Sequence, residues 1–152
     1  MSAQEKLKKL GITLPEAPAP VGSYVPGIRT GHLIMTSGQI PFAEGALRHP
    51  GHVGAEVSLE QARECAKTAA LNALAVAAQM AGGLDKIKRV VRVAMFVSSA
   101  PGFHDQPKVA NGASDLLVEI FGEAGRHVRA AVGVNELPLN SCVEIELTVE
   151  AA

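Results

Sequence analysis

Apolar residues recur along the chain with two different periods, and the switches between them mark out the elements. Leu7 and Leu10 stand among charged neighbours over residues 1–10, the spacing of a short helix that Gly11 would end. The next stretch, TLPEAPAPVG, places Pro15, Pro18 and Pro20 close together and reads as an extended connector on the surface. Ser23 to Arg29 and Leu33 to Ser37 read as two short strands around Thr30-Gly31. A third strand is expected over Phe42 to Leu47, after the Gly38-Gln39-Ile40-Pro41 bend, with a loop over 48–57.

At Ser58 the period becomes helical. Ala62, Cys65, Ala66, Ala69, Ala73, Val76, Ala77 and Met80 line one side, and Glu60, Arg63, Glu64 and Lys67 the other. Ser58 with Gln61 forms a capping box at the start, and Gly82-Gly83 stops the helix. Its small, alanine-rich face suits very close packing on a sheet. Lys88 to Ser98 alternates Val91, Val93, Met95 and Val97 with Val90, Arg92, Ala94 and Phe96. A second long helix spans Gln106 to Phe121 on Val109, Ala113, Leu116, Leu117 and Ile120. Two further strands follow. One sets Val128, Ala130, Val132 and Val134 against Arg129, Ala131 and Gly133; the other sets Val143, Ile145, Leu147 and Val149 against Glu144, Glu146 and Thr148.

This order predicts an α+β fold: a single mixed sheet of about five or six strands with two helices packed on one face. The helix-covered face is expected to take Val91, Val93, Val132, Val134, Val143 and Ile145. The open face would carry Arg92, Arg129, Glu144 and Glu146 mixed with Val90, Phe96 and Ala131. Such a face is too apolar to stay wet and too charged to be a core, so a symmetric oligomer is predicted. Acids and bases buried between subunits would then be candidates for a site. Residues 1–17 form an N-terminal helix and extension, and 18–152 one domain.

Charge and cysteine usage narrow the function. The chain of 152 residues has 14 Lys and Arg against 15 Asp and Glu, a net charge of -1, which gives no electrostatic reason for nucleic-acid binding. Aromatics are 3% with no Trp, so stacking platforms for single strands are scarce. Cys65 and Cys142 form no disulfide framework and suit a reducing compartment. The charged N-terminus lacks an apolar signal core. The longest apolar run, Leu71 to Ala78 broken by Asn72, is shorter than the roughly 20 residues a bilayer needs. A soluble, cytoplasmic protein without a membrane partner is the expectation.

Four segments in order, Val21-Gly-Ser-Tyr-Val-Pro-Gly27, Met35-Thr-Ser-Gly-Gln-Ile-Pro41, Arg129-Ala-Ala-Val-Gly-Val134 and Leu137-Pro138 leading into Val143-Glu-Ile-Glu146, resemble the RidA/YjgF family of small trimeric proteins. The resemblance covers about Pro18 to Val149 and implies a chorismate-mutase-like, homotrimeric fold with ligands in clefts between subunits. It further implies hydrolysis of reactive enamines and imines to 2-oxo acids and ammonia. Carried over by motif, Arg129 would hold the substrate carboxylate with its guanidinium fork, and Glu144 would position or activate water. Tyr24 and Ser37 would line the cleft with Asn111, and backbone at Gly38 and Ala131 would add hydrogen bonds. The implied chemistry needs no cofactor and no metal, because an imine already reacts with water and mainly needs positioning. Three features depart from the better-known pattern: Ala131 stands where the deaminases often have Cys, Asn111 and Arg129 are one residue further apart, and the 43–57 loop and N-terminal extension are larger. They suggest a distinct branch.

Each signal has a plainer alternative. Arg129 could pair with Glu144 or Glu146 across adjacent strands. Tyr24 could be packing, and Ser37 could stabilise a turn. His49-Pro-Gly-His52 has a metal-compatible spacing but no nearby third ligand, which favours surface histidines. His127 shares a strand face with Arg129 and either tunes the site or plays a structural part. Three functions therefore compete: imine hydrolysis, non-catalytic binding of small carboxylates such as 2-oxo acids, and an endoribonuclease or translation-inhibitor role. The charge balance argues against the last.

Overall fold

A computed structural model of the chain describes residues 1–20 and 22–152; Val21, the first residue of the Val21–Gly27 segment, lies outside the described residues. The first helix, α1 (Ala3–Lys9), starts on a Ser2/Glu5 capping box and ends at Gly11, whose φ of 71° is a left-handed conformation glycine tolerates. Leu7 is fully buried and Gln4 N donates to Asp85 Oδ1 at 3.0 Å, so α1 is docked rather than free. Burying one leucine contributes about 1.5–3 kcal/mol, enough to hold so short a helix in place.

The strands are β1 (Gly27–Thr30), β2 (Leu33–Thr36), β3 (Phe42–Ala43), β4 (Ala46–Leu47), β5 (Ile87–Ser98), β6 (Val128–Val134) and β7 (Val143–Ala151). Five of them form one mixed sheet in the order β1-β2-β7-β5-β6; only β5 and β6 run parallel. The strand expected over Phe42 to Leu47 is instead a small β3–β4 hairpin turning at Glu44-Gly45. Both those residues have positive φ.

Helix α2 (Leu59–Ala81) opens on the Ser58/Gln61 capping box and closes at left-handed Gly82. Helix α3 (Gln106–Phe121) carries the crossover between β5 and β6. Both pack on the same face of the sheet. Ala62, Ala66, Ala69, Ala73 and Ala77 of α2 are all fully buried, so the alanine-rich side is the packed side. The two helices approach so closely that a Cβ at Gly112 would lie 2.1 Å from the Arg63 carbonyl oxygen. Asn72, nearly buried on α2, donates to the carbonyls of Ile40 (3.0 Å) and Phe42 (2.9 Å) and fixes the hairpin on the core.

The face assignments expected for β5 and β6 need correction. Register shifts between Ile87 and Arg89 and between Val90 and Arg92 break the alternation of β5. Fully buried Val90 therefore takes the inward place expected for Val91, while Val93, Met95 and Val97 stay inside. Strand β6 is reversed outright. Arg129 pairs in register with buried Val93 and so faces the helices. Val128 and Val132, with Ala130, lie on the open face, 66% and 45% exposed for the two valines. An edge strand of alternating small and apolar residues carries no periodic mark of which side is inward.

Candidate functional site

Helix α3 presents Pro107, Asn111 and Ser114 at spacings of four and three, one stripe along the helix. That stripe faces β6 and supplies three acceptors to one guanidinium. Arg129 Nη1 donates to Asn111 Oδ1 at 2.8 Å and to Ser114 Oγ at 3.1 Å; Nη2 donates to the Pro107 carbonyl at 3.4 Å. Arginine has five N–H donors. Both on Nη1 and one on Nη2 are spent, while Nε–H and the second Nη2–H have no acceptor among the described residues. Nε–H lies on the same edge of the planar group as Nη2, the edge with which a guanidinium grips both oxygens of a carboxylate. The side chain is exposed.

The other half of the site lies on the open face. Ser37 Oγ donates to the Val25 carbonyl at 2.6 Å and Ser37 N to the Pro26 carbonyl at 2.7 Å, joining the segment after Tyr24 to the end of β2. Gln39 and Ile145 exchange both backbone hydrogen bonds, 2.8 and 2.9 Å, which straps the chain across β7. Gly38 is consequently pressed against Glu144: a Cβ there would meet the carboxylate carbon at 2.8 Å. Phe96 stands directly across from Glu144 on β5. Half-buried Glu144 titrates above the usual carboxylate value of 4.5, because burial disfavours its charge and Glu146 adds a like charge. Tyr24 is half exposed.

Arg129 and Glu144, expected on one face, lie on opposite faces of the sheet. Strand β5 separates their strands, and the register places them three residues apart along the sheet. Two strand spacings and three residue rises put their Cα atoms on the order of 14 Å apart. Cross-strand pairing of Arg129 with Glu144 or Glu146 is therefore excluded. Asn111 joins Arg129, and Ala131 shares its face, packed against the core. Gly38 lies against Glu144, and Ser37 beside it is tied to the segment after Tyr24.

Ser114 is the member the sequence did not mark. Its Oγ also meets His127 Nε2 at 2.8 Å, and His127 Nδ1 meets the Gly125 carbonyl at 2.6 Å. Gly125 allows this approach, since a Cβ there would sit 2.3 Å from the Leu117 carbonyl oxygen. The only advance hint was His127 two residues before Arg129. Elsewhere, His52 meets the Asn135 carbonyl (2.7 Å), Glu136 (3.3 Å) and Glu56 (3.5 Å), tying the 51–57 loop to the chain after β6. The Asn135 carbonyl foremost, with the two carboxylates, raises its titration above 6.5. His49 is exposed, and among the described residues no three His, Cys, Asp or Glu groups converge as a metal site. Cys65 and Cys142, distant in sequence, meet as buried free thiols, Cys65 held protonated by its contact with Cys142 and by burial.

A mixed sheet with two long helices on one face, a short helix ahead of them and this strand order define a YjgF and chorismate-mutase-like α+β protein. Residues 4–151 match the family described as "YjgF/chorismate_mutase-like, putative endoribonuclease", and the chain belongs to that family. It is 41% identical to Protein TCP17 of Trypanosoma cruzi over 145 residues, 95% of this chain and 91% of that one. It is 33% identical to a 2-iminobutanoate/2-iminopropanoate deaminase of Dermatophagoides farinae, covering 91% and 93% of the two chains. Among solved structures, Atu1372 of Agrobacterium tumefaciens, a protein of unknown function, superposes with a TM-score of 0.90 at 44% identity, over 99% of this chain and 92% of that one. No described helix is long and apolar enough to cross a membrane.

Proposed function

We propose that the chain hydrolyses small imino and enamine acids to 2-oxo acids and ammonia, in a cleft shared by neighbouring subunits of a homotrimer. The observation that carries this reading is the pair of unspent donors on Arg129, held outward by Asn111, Ser114 and Pro107. The likeness to the mite deaminase supports the substrate class.

Arg129 binds the substrate carboxylate and sets the imine carbon against Glu144. Within one chain the two groups are on opposite sides of a sheet, so Glu144 comes from the next subunit, with Tyr24, Ser37 and Gly38. The open face supplies the means of assembly: Ile28, Leu33, Met35, Val128 and Val132 are all exposed on it. The water oxygen bonds to the imine carbon as the C=N π pair moves to nitrogen, and Glu144 takes the water's proton. Glu144 returns that proton to the nitrogen, and the resulting carbinolamine closes to C=O as its hydroxyl proton passes to the nitrogen and its C–N bond breaks, releasing ammonia. An enamine first takes a proton at carbon, a step helped by a carboxyl that titrates high.

The test is release of 2-oxo acid from imines generated in situ by an amino-acid oxidase. Wild type should accelerate it and Arg129→Ala should not. Equal rates for the two proteins across several imines would overturn the proposal. Binding of 2-oxobutanoate without turnover would leave carboxylate capture, not hydrolysis, as the function.

A further inference from the structure

We infer that Ser114 and His127 form a positioning relay that sets the direction of Arg129 and so the affinity of the site for its carboxylate; the inference rests on the site proposed above. For a neutral His127 ring the hydrogen bonds fix the proton positions along the relay. The Gly125 carbonyl only accepts, so His127 Nδ1 carries the proton in their 2.6 Å contact. In the neutral ring Nε2 is then an acceptor, and the Ser114 hydroxyl donates to it across 2.8 Å. The Ser114 oxygen is left to accept from Arg129 Nη1 at 3.1 Å. A serine inside a helix otherwise tends to bond the carbonyl four residues back, where its oxygen takes no defined direction towards a neighbouring strand. Here the histidine takes the hydroxyl proton outward and aims a lone pair at the guanidinium.

The consequence falls on the opposite edge of the same planar group. Asn111 and Ser114 together occupy both Nη1 donors, and with Pro107 they set the plane in which Nε–H and Nη2–H emerge. Removing the Ser114 acceptor frees one Nη1–H and lets the plane turn about Asn111. Gly125 and the α3 stripe bring the parts together, so the relay is built by backbone approach as much as by side chains.

The relay is tested by steady-state kinetics on oxidase-generated imines and by calorimetry with 2-oxobutanoate. Ser114→Ala and His127→Leu should each raise KM and the dissociation constant about tenfold, with kcat within about threefold, since a carboxylate clamp acts alike on ground and transition states. Ser114→Thr and His127→Gln, which keep the hydroxyl and the acceptor, should recover most of the loss. In an Arg129→Lys background, His127→Leu should add less than about twofold, because no guanidinium remains to direct. Nitrogen NMR of wild-type His127 should show the proton on Nδ1. If Arg129→Ala abolishes binding while Ser114→Ala and His127→Leu bind as wild type, the relay is refuted and the site stands. If Arg129→Ala itself binds and turns over normally, the site fails first. Should His127→Leu not fold, the Ser114 pair decides alone.

Discussion

Replacing Gly38 with alanine separates the chemistry of the open-face half-site from its stability. Gly38 does not have a left-handed backbone, so alanine meets no conformational penalty there. Its Cβ would stand 2.8 Å from the Glu144 carboxylate carbon, where ordinary contact begins at 3.4 Å, so the carboxylate must move by about 0.6 Å. The displaced group is the end of a flexible side chain, which can turn aside at small cost. Loss of glycine freedom in the unfolded chain contributes roughly 0.4–1 kcal/mol in the other direction. The melting temperature should therefore hold or rise slightly. Catalysis should not hold: misplacement by about 1 Å costs on the order of a hundredfold, so kcat should fall about 10- to 100-fold with the carboxylate affinity at Arg129 unchanged. The assays are 2-oxo acid release, calorimetry with 2-oxobutanoate and a thermal melt on the same preparations. Wild-type kcat in a folded Gly38→Ala protein would refute the role given to Glu144.

Three further outcomes follow from the same geometry. Gly112→Ala should lower stability by about 1–3 kcal/mol in a denaturant titration, because its Cβ meets the Arg63 carbonyl backbone at 2.1 Å and neither helix can yield locally. Glu144 binds its proton more tightly folded than unfolded, so its contribution is full below about pH 4.5 and lost as pH rises through the higher folded value. Glu144→Gln should accordingly melt above wild type at pH 7 and lose that advantage as the pH falls below 4.5, while wild-type turnover should fall on acidification with a midpoint above 4.5. Val132→Lys should cost little within a protomer, where the side chain is 45% exposed, but sedimentation should show one chain's mass, against the proposed trimer's for wild type.

The helices were legible almost to the residue. Ser58 with Gln61, Gly82 and the alanine stripe each carry local physics that tertiary context did not override. The sheet's handedness of faces was not. The β5 irregularities fall within a run of Val and Arg where either phase satisfies alternation, so Val90 and Val91 exchange places without any sign in the sequence. Strand β6 misled more deeply. Its valines look like core, yet they sit on the open face, and Arg129 is expected on the open face, yet it lies against α3. Hydrophobicity reports that a residue wants cover, not whether the cover is its own helix or another surface. The same blindness hid Ser114, an ordinary small polar residue in a helix until its partners are in view.

The central claim is that Arg129 and Glu144 act in one cleft although each chain holds them apart, and subunit complementation tests it most directly. Arg129→Ala and Glu144→Gln proteins, each in the proposed trimeric assembly, should both be inactive. Unfolded together in equal amounts and refolded into mixed trimers, they should regain about a quarter of wild-type turnover, since one cleft in four receives both intact groups under random cyclic assembly. Mixed trimers that form and stay inactive would contradict the account.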